Sequence, residues 1–335
     1  GRIICINIEQ PAEEGWQEVV PEQKEVISTA RFIDGQFVIA FMHNAHALLR
    51  VYGMNGEMVS EVPLPTLGSI EGLSGKQNHK GLFVAFTSFL YPSVSFYYDL
   101  HTRKLTPFGK QELKFDADRY ETNQVFYPSK DGTEVSLFLV HKKGLKKDGN
   151  NPTLLYGYGG FNIAITPSFS PSRILWLEQG GVYAVANLRG GSEFGEEWHL
   201  SGMRENKQNV FDDFIAAGEW LVANDYTNPQ KLAIEGRSNG GLLVLACLVQ
   251  RPDLFGAVIC SVPVTDMLRF HKFTVGRYWV PEYGNAEESA EDFAFLYHYS
   301  PLHNVQPREY PPTLVVTADG DDRVVPAHAY KFTAT

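Results

Sequence analysis

Cysteine is scarce in this 335-residue chain, and Cys5, Cys247 and Cys260 stand far apart. Three scattered thiols cannot build a dense disulfide framework, and they lack the paired spacing of a zinc site. Cys247 and Cys260 fall in apolar stretches, where the ordinary role is that of a small buried hydrophobe. Positive charge is also short: 29 Lys and Arg face 39 Asp and Glu, a formal net charge of −10, with no basic run that could track phosphates. No nucleic-acid partner is therefore expected. No apolar run approaches the roughly 20 residues that span a bilayer, so no membrane partner is expected either. His199, His271, His298 and His303 share no metal-ligand spacing on one element. The glycine-rich run Arg189-Gly190-Gly191-Ser192-Glu193-Phe194-Gly195 lacks both the lysine of a phosphate loop and the spacing of a dinucleotide fingerprint. Neither a metal nor a cofactor is expected.

Long helical periodicity is missing from residues 1–117. Short β-rich runs stand there instead, at Gln36–Met42, Leu82–Ser88, Val94–Tyr98 and Lys104–Phe108, separated by Gly, Asn, Asp and Pro turns. Such texture predicts an all-β propeller, sandwich or barrel, although internal similarity is too weak to fix a repeat. The pattern changes near Tyr120. Gln124–Pro128 and Val135–Val140, joined at Asp131-Gly132, predict a hairpin. Strands at Thr153–Tyr158, Val182–Asn187, Lys231–Glu235, Ala257–Val262 and Thr313–Thr317 then alternate with helices at Val210–Asn224 and Leu242–Gln250. Residues 118–335 thus read as an α/β domain with a mostly parallel sheet and helices on both faces. Ligands in such sheets gather at the carboxyl ends of the strands. At 44% hydrophobic residues, the chain can build a large core and two domains.

Gly236-Arg237-Ser238-Asn239-Gly240 lies where a predicted strand meets a predicted helix. That context is the one a G-x-S-x-G nucleophile elbow requires, with the serine on a sharp turn between small neighbours. A helix cap in a glycine turn is the plainer alternative. An elbow serine needs a histidine to take its proton and a carboxylate to orient that histidine, in the chain order Ser, Asp, His. Asp321, in the acidic turn after a late core strand at Thr313–Thr317, is the candidate carboxylate; an ordinary solvated turn is its alternative. The backbone N–H of Asn239 is a candidate oxyanion donor by elbow geometry. After Asp321 only His328 remains, inside a helix predicted to start at Pro326 and to lead away from the Asp loop. It reads as a surface or packing residue. The catalytic histidine is therefore expected beyond residue 335, and the 335 residues alone are expected to be inactive.

Five motifs in order carry a resemblance. They are Leu155-Tyr156-Gly157-Tyr158-Gly159-Gly160-Phe161-Asn162, Ala186-Asn187-Leu188-Arg189-Gly190-Gly191, Lys207-Gln208-Asn209-Val210-Phe211-Asp212-Asp213-Phe214, Ser238-Asn239-Gly240-Gly241-Leu242-Leu243-Val244 and Asp321-Asp322-Arg323-Val324-Val325-Pro326. From about Tyr120 onward the chain resembles the prolyl oligopeptidase family of serine peptidases. The resemblance implies an α/β-hydrolase domain at 118–335 preceded by the C-terminal blades of a seven-bladed propeller. Residues 1–117 would supply about two or three blades at roughly 40 to 50 residues each. Gly1 is accordingly read as lying inside a longer natural chain.

The same resemblance implies Tyr158 as second oxyanion donor and Trp279 as the ring that stacks on a substrate proline. Phe161, Val264, Tyr283 and Val324 would complete that pocket. Arg323 would bind a substrate carbonyl, its alternative being a salt bridge to Asp319 or Asp322. The implied activity is hydrolysis of short peptides on the carboxyl side of proline through an acyl-enzyme, by a monomer whose partners are short proline-containing peptides; the cysteine usage itself fits a reducing cytoplasm best, with a periplasmic or secreted setting left open because the sequence does not begin with methionine. Arg237 stands where many members have glycine and resembles the related oligopeptidase B, which cleaves after Arg or Lys. Asn239 and Phe161-Asn162 resemble the proline branch instead. Gly320 also departs from the family, which often has histidine there. Glu282 is the acid nearest the pocket residues in sequence. An inactive propeller–hydrolase binding protein and an esterase or lipase are the remaining alternatives.

Overall fold

The computed structural model describes residues 1–109 and 114–335, which form two compact units. The first comprises residues 1–118 together with 166–174 and 193–195. A short pair, β1 (Ile3–Cys5) and β2 (Gln17–Val20), precedes two four-stranded antiparallel meanders. One is β3 (Val26–Ile33), β4 (Gln36–His43), β5 (His46–Tyr52) and β6 (Met58–Val62); the other is β7 (Ser69–Ser74), β8 (Gly81–Thr87), β9 (Val94–Asp99) and β10 (Lys104–Phe108). Each meander pairs its strands in chain order, as a propeller blade does. Ile33, Val38, Leu49 and Val51 from one sheet pack with Leu73, Leu82, Val84 and Tyr98 from the other, so neither inner face is left wet. Later residues join this unit: the Ser69 hydroxyl donates to the Pro167 carbonyl at 2.7 Å.

The second unit comprises residues 119–165, 175–192 and 196–335. Its seven strands are β11 (Tyr120–Pro128), β12 (Glu134–Lys142), β13 (Thr153–Tyr156), β14 (Val182–Asn187), β15 (Leu232–Arg237), β16 (Ala257–Ser261) and β17 (Thr313–Val316). They lie in the order β11-β12-β14-β13-β15-β16-β17. The β11–β12 hairpin and the β12–β14 pair are antiparallel, and every other pairing is parallel. All six residues of β14 are buried, as a strand covered on both faces demands. Helix α1 (Pro171–Glu178) has residues in both units, and the helices of the second unit alone are α2 (Glu196–Leu200), α3 (Gln208–Ala223), α4 (Asn239–Gln250), α5 (Val280–Tyr283), α6 (Ala290–Tyr299) and α7 (Ala327–Ala334). Helix α4 buries its first eleven residues, which explains a sequence apolar almost all round. Arg189, from the glycine-rich run, ties the unit together, since its guanidinium binds Asp213 on α3 at 2.7 Å and Asp131 in the hairpin turn at 2.6 Å.

The strand order fixes where a site can form. From β13 the chain passes to β14 on one side, and later returns as β15 on the other. The loops leaving β13 and β15 therefore open a crevice at their carboxyl ends. Parallel register sets Tyr156 beside Glu235, so Tyr158 and Ser238 emerge next to each other. Ser261 sits beside both Arg237 and Val316, which brings Val264 and the Asp321 turn to the same edge. Among the described residues strand β17 pairs with β16 alone, in parallel.

Candidate active site

Ser238 links the end of β15 to the start of α4 in a backbone conformation of φ 58°, ψ −118°. L-residues rarely occupy that region, and holding one there costs about 1–3 kcal/mol. The surroundings enforce it. Ser238 N–H donates to the Ser261 carbonyl at 2.9 Å, while its own carbonyl accepts from Gly241 and Leu242 at 2.8 and 3.1 Å. A Cβ at Gly236 would lie 1.9 Å from the Gly240 carbonyl oxygen, so only glycine lets strand and helix approach this closely. The Asn239 N–H opens α4, where it has no acceptor within the helix.

A cavity of about 170 Å³ lies over the serine, lined by Tyr158, Phe161, Ile163, Ser238, Val264, Tyr278, Trp279, Tyr283 and Arg323. Burial raises the Tyr158 phenol above its ordinary pKa, against the pull of the Arg323 guanidinium and a hydrogen bond from the Ser238 side chain. It is thus a neutral donor at pH 7. The aromatic wall is ordered by edge contacts: Phe161 meets Tyr283 with ring centroids 5.4 Å apart, and Phe270 meets Tyr283 at 5.2 Å. Trp279 lies parallel to Phe270 at 6.5 Å, which sets the indole's plane. Such walls suit a flat apolar ring.

Of the residues singled out from sequence, Ser238, Tyr158, Phe161, Val264, Trp279, Tyr283 and Arg323 line this one cavity. Val324 does not: it is 3% exposed and packs in the hydrophobic core beneath, because its N–H is drawn under the turn by Asp321. Asp321 lies outside the lining; its Oδ1 accepts from the Arg323 and Val324 N–H groups at 3.0 and 2.9 Å. Asp319, the alternative ion-pair partner of Arg323, instead accepts the Tyr330 hydroxyl. Ile163 carries no signal in the sequence, being an ordinary apolar residue in a loop, and Tyr278 sits in a short 3-10 helix just before Trp279.

Beneath the Gly159–Asn162 loop sits a charged network. The Lys207 ammonium is 1% exposed, donates to the Gly159 carbonyl at 2.8 Å, and lies 3.5 Å from Glu282 Oε1. Burial lowers its pKa to about 8, with Glu282 opposing the shift. Glu282 Oε1 accepts the Phe161 N–H at 2.9 Å, and Oε2 pairs with His199 Nε2 at 2.9 Å. The Asn239 amide bridges the Tyr158 carbonyl and the Tyr283 hydroxyl. His328 is buried on α7, its Nδ1 accepting the Thr265 and Asp266 N–H groups at 3.3 and 3.2 Å. Burial lowers its pKa to about 4. A ring locked this way cannot take a proton from Ser238. Among the described residues, no group of three or more His, Cys, Asp or Glu is arranged to hold a metal, and no helix is long and apolar enough to cross a membrane.

Residues 167–335 match the prolyl oligopeptidase family, and residues 1–111 match the prolyl oligopeptidase N-terminal β-propeller domain. Prolyl endopeptidase of Elizabethkingia meningoseptica is 45% identical over 332 residues, covering 99% of this chain and 47% of that protein. Prolyl oligopeptidase A of Galerina marginata is 40% identical over 341 residues, covering 99% and 46%. A solved structure from a study of two prolyl endopeptidases superposes with a TM-score of 0.94 at 47% identity, over 99% of this chain and 49% of that one. Prolyl oligopeptidase B from Galerina marginata, bound to a 35mer hydrolysis and macrocyclization substrate, gives 0.92 at 37%, over 99% and 48%. The chain spans about half the length of the curated relatives it matches. With one family covering the elbow, the Asp321 turn and everything between, and that family's own propeller domain matching the early strands, this chain belongs to the prolyl oligopeptidase family.

Proposed function

We propose that these residues carry the nucleophile, the orienting carboxylate and the oxyanion donors of a serine endopeptidase that cleaves short peptides after proline. The observation that carries the reading is the shared cavity, in which an elbow serine, a neutral tyrosine hydroxyl and a stacked indole face one small volume. Ser238 Oγ attacks the carbonyl carbon that follows the proline ring, and its proton passes to a histidine. Negative charge on the carbonyl oxygen is received by the Tyr158 hydroxyl and the Asn239 N–H, donors already in place before the charge forms. The leaving amine takes the proton from the histidine, and water then releases the acyl group by the same route.

Asp321 orients the histidine in this reading. Its Oδ1 is occupied by two backbone N–H groups, which fixes the carboxylate and leaves Oδ2 for an imidazole. The two backbone N–H groups on His328 Nδ1 count against it as base, and another histidine is proposed for that role. Trp279 receives the pyrrolidine ring, and Arg323 at the same wall binds a substrate carbonyl. Two buried free thiols, Cys247 and Cys260, favour the reducing cytoplasm as its setting.

The test uses the intact gene product that carries this sequence. Ser238→Ala should abolish turnover of a Gly-Pro reporter and labelling by a fluorophosphonate probe. Tyr158→Phe should lower kcat by about 10- to 1,000-fold with little change in KM, since its hydroxyl matters once the oxyanion forms. A KM effect alone would remove Tyr158 from its assigned role. Absence of turnover and labelling in the unmutated protein would favour the inactive binding module.

A further inference from the structure

The oxyanion loop is held in an unfavourable shape by an expensive device. Phe161 and Asn162 both adopt left-handed backbone, φ 57° and 55°, which non-glycine residues keep only when their surroundings over-determine it. Two groups of one buried ion pair grip this loop. Lys207 Nζ donates to the Gly159 carbonyl, Glu282 Oε1 accepts the Phe161 N–H, and the two charges face each other at 3.5 Å. A well-packed apolar pair would usually serve stability as well or better, because two charges must be stripped of water. Stability alone therefore does not explain the pair; apolar side chains could not bind a carbonyl and an N–H on either side of Gly160.

The grip is also crowded. A Cβ at Gly160 would come within 2.9 Å of Lys207 Nζ and 2.7 Å of the Asn239 amide nitrogen. The loop therefore rests directly on the ammonium group, with Tyr158 one residue before its first bond. Glu282 is steadied in turn by His199, which also approaches Glu196 at 3.3 Å, and Glu196 accepts the Asn162 side chain at 3.1 Å.

We propose that Lys207 and Glu282 are positioning residues for catalysis: their ion pair clamps Gly159 and Phe161 so that the Tyr158 hydroxyl is aimed at the oxyanion position. The inference rests on the assignment of Tyr158 as an oxyanion donor. Neither clamp residue lines the substrate cavity, so loosening the clamp misaims a transition-state donor while leaving ground-state binding largely intact.

The experiment is a kinetic cycle on the intact gene product with a Gly-Pro amide reporter. Lys207→Met keeps the aliphatic stem and removes the charge; it should lower kcat by more than about threefold, and by no more than Tyr158→Phe does, with KM held within about threefold. Placed in a Tyr158→Phe background, the same change should cost less than about threefold, because no donor remains to be misaimed. Glu282→Gln should lower kcat in the same direction, and serves as the test if Lys207→Met does not fold. A folded variant with kcat within threefold of the parent would overturn the clamp. So would a loss as large in the Tyr158→Phe background as in the parent, even where Tyr158→Phe itself is slow. If Tyr158→Phe leaves kcat unchanged, the oxyanion assignment falls first and takes the clamp with it.

Discussion

Replacing Ser238 by glycine should stabilise the fold relative to replacing it by alanine, the reverse of the usual order. At an ordinary helix-forming position glycine is less stable than alanine by about 0.5–1 kcal/mol, through the greater freedom of the unfolded chain. Ser238 is different because φ 58°, ψ −118° forces a Cβ against the neighbouring backbone. Relief of that strain is worth about 1–3 kcal/mol. Both variants lose the hydroxyl and its contact with Tyr158, so those losses cancel in the comparison. Subtracting the unfolded-state term leaves Ser238→Gly ahead of Ser238→Ala by up to about 2.5 kcal/mol, centred on about 1 kcal/mol. The cost of the elbow is thus carried by the backbone of Ser238 itself.

Urea unfolding of the two variants, followed by tryptophan fluorescence, reads the difference. Four of the five tryptophans lie in the second unit and Trp198, Trp220 and Trp279 pack on its core, so with Trp16 replaced by Phe in both variants the fluorescence transition reports that unit. Two units can unfold in separate steps, and the comparison concerns this transition alone. An alanine variant equal to or more stable than the glycine variant would refute the claim that Ser238 is strained.

Two further outcomes follow from the same geometry. In the intact gene product, peptides with proline before the cleaved bond should exceed matched arginine peptides by at least about 100-fold in kcat/KM, roughly 2.7 kcal/mol, and Trp279→Ala should shrink that gap; an arginine preference, or a gap indifferent to Trp279→Ala, would dissolve the pocket assignment. His328, held down to about 4 from an ordinary 6.5, contributes stability that is full above pH 6.5 and lost as the pH falls toward 4, about 3 kcal/mol in all. Denaturation at stepped pH should show that loss flattened in His328→Gln, with Asp266 and Lys331 nearby contributing the same background to both proteins; identical slopes would refute it.

The elbow is legible in the sequence because its chemistry is local. Two glycines around a serine, a strand before and an apolar helix after, leave one backbone solution, and β15 and α4 meet at Ser238. The α/β alternation after Tyr120 is equally plain, since periodicity records burial. The seven-strand order is not plain from pattern alone, because pairing depends on which loop crosses which face. The Thr, Leu and Val of β17 mark it as a strand without naming β16 as its neighbour. Val324 departs from expectation for a related reason: a residue in a turn points where that turn's hydrogen bonds send it, and Asp321 sends it into the core. Lys207 shows no role in its motif, because nothing local indicates that a lysine before a helix will be buried against Glu282, 75 residues further along the chain.

Charge placement around the cavity supports the proposed preference for proline before the cleaved bond. None of the nine lining residues is acidic. Glu282, between Trp279 and Tyr283 in the chain's pocket-forming excursion, has both oxygens engaged below the loop by Phe161, Lys207 and His199. An arginine or lysine entering the cavity would therefore give up water without meeting a counter-charge, and would face Arg323 at the wall. A pyrrolidine ring loses no such hydration. Arg237, the residue that resembles the basic-specific branch, is exposed at the end of β15 and is not part of the wall. The same ion pair proposed to aim Tyr158 thus also withdraws the Glu282 carboxylate from the substrate. On this reasoning the proposed proline preference and the proposed oxyanion geometry share a support, and Glu282→Gln should slow turnover of proline peptides without opening the site to arginine, because the carboxylate it removes was never available to a cation.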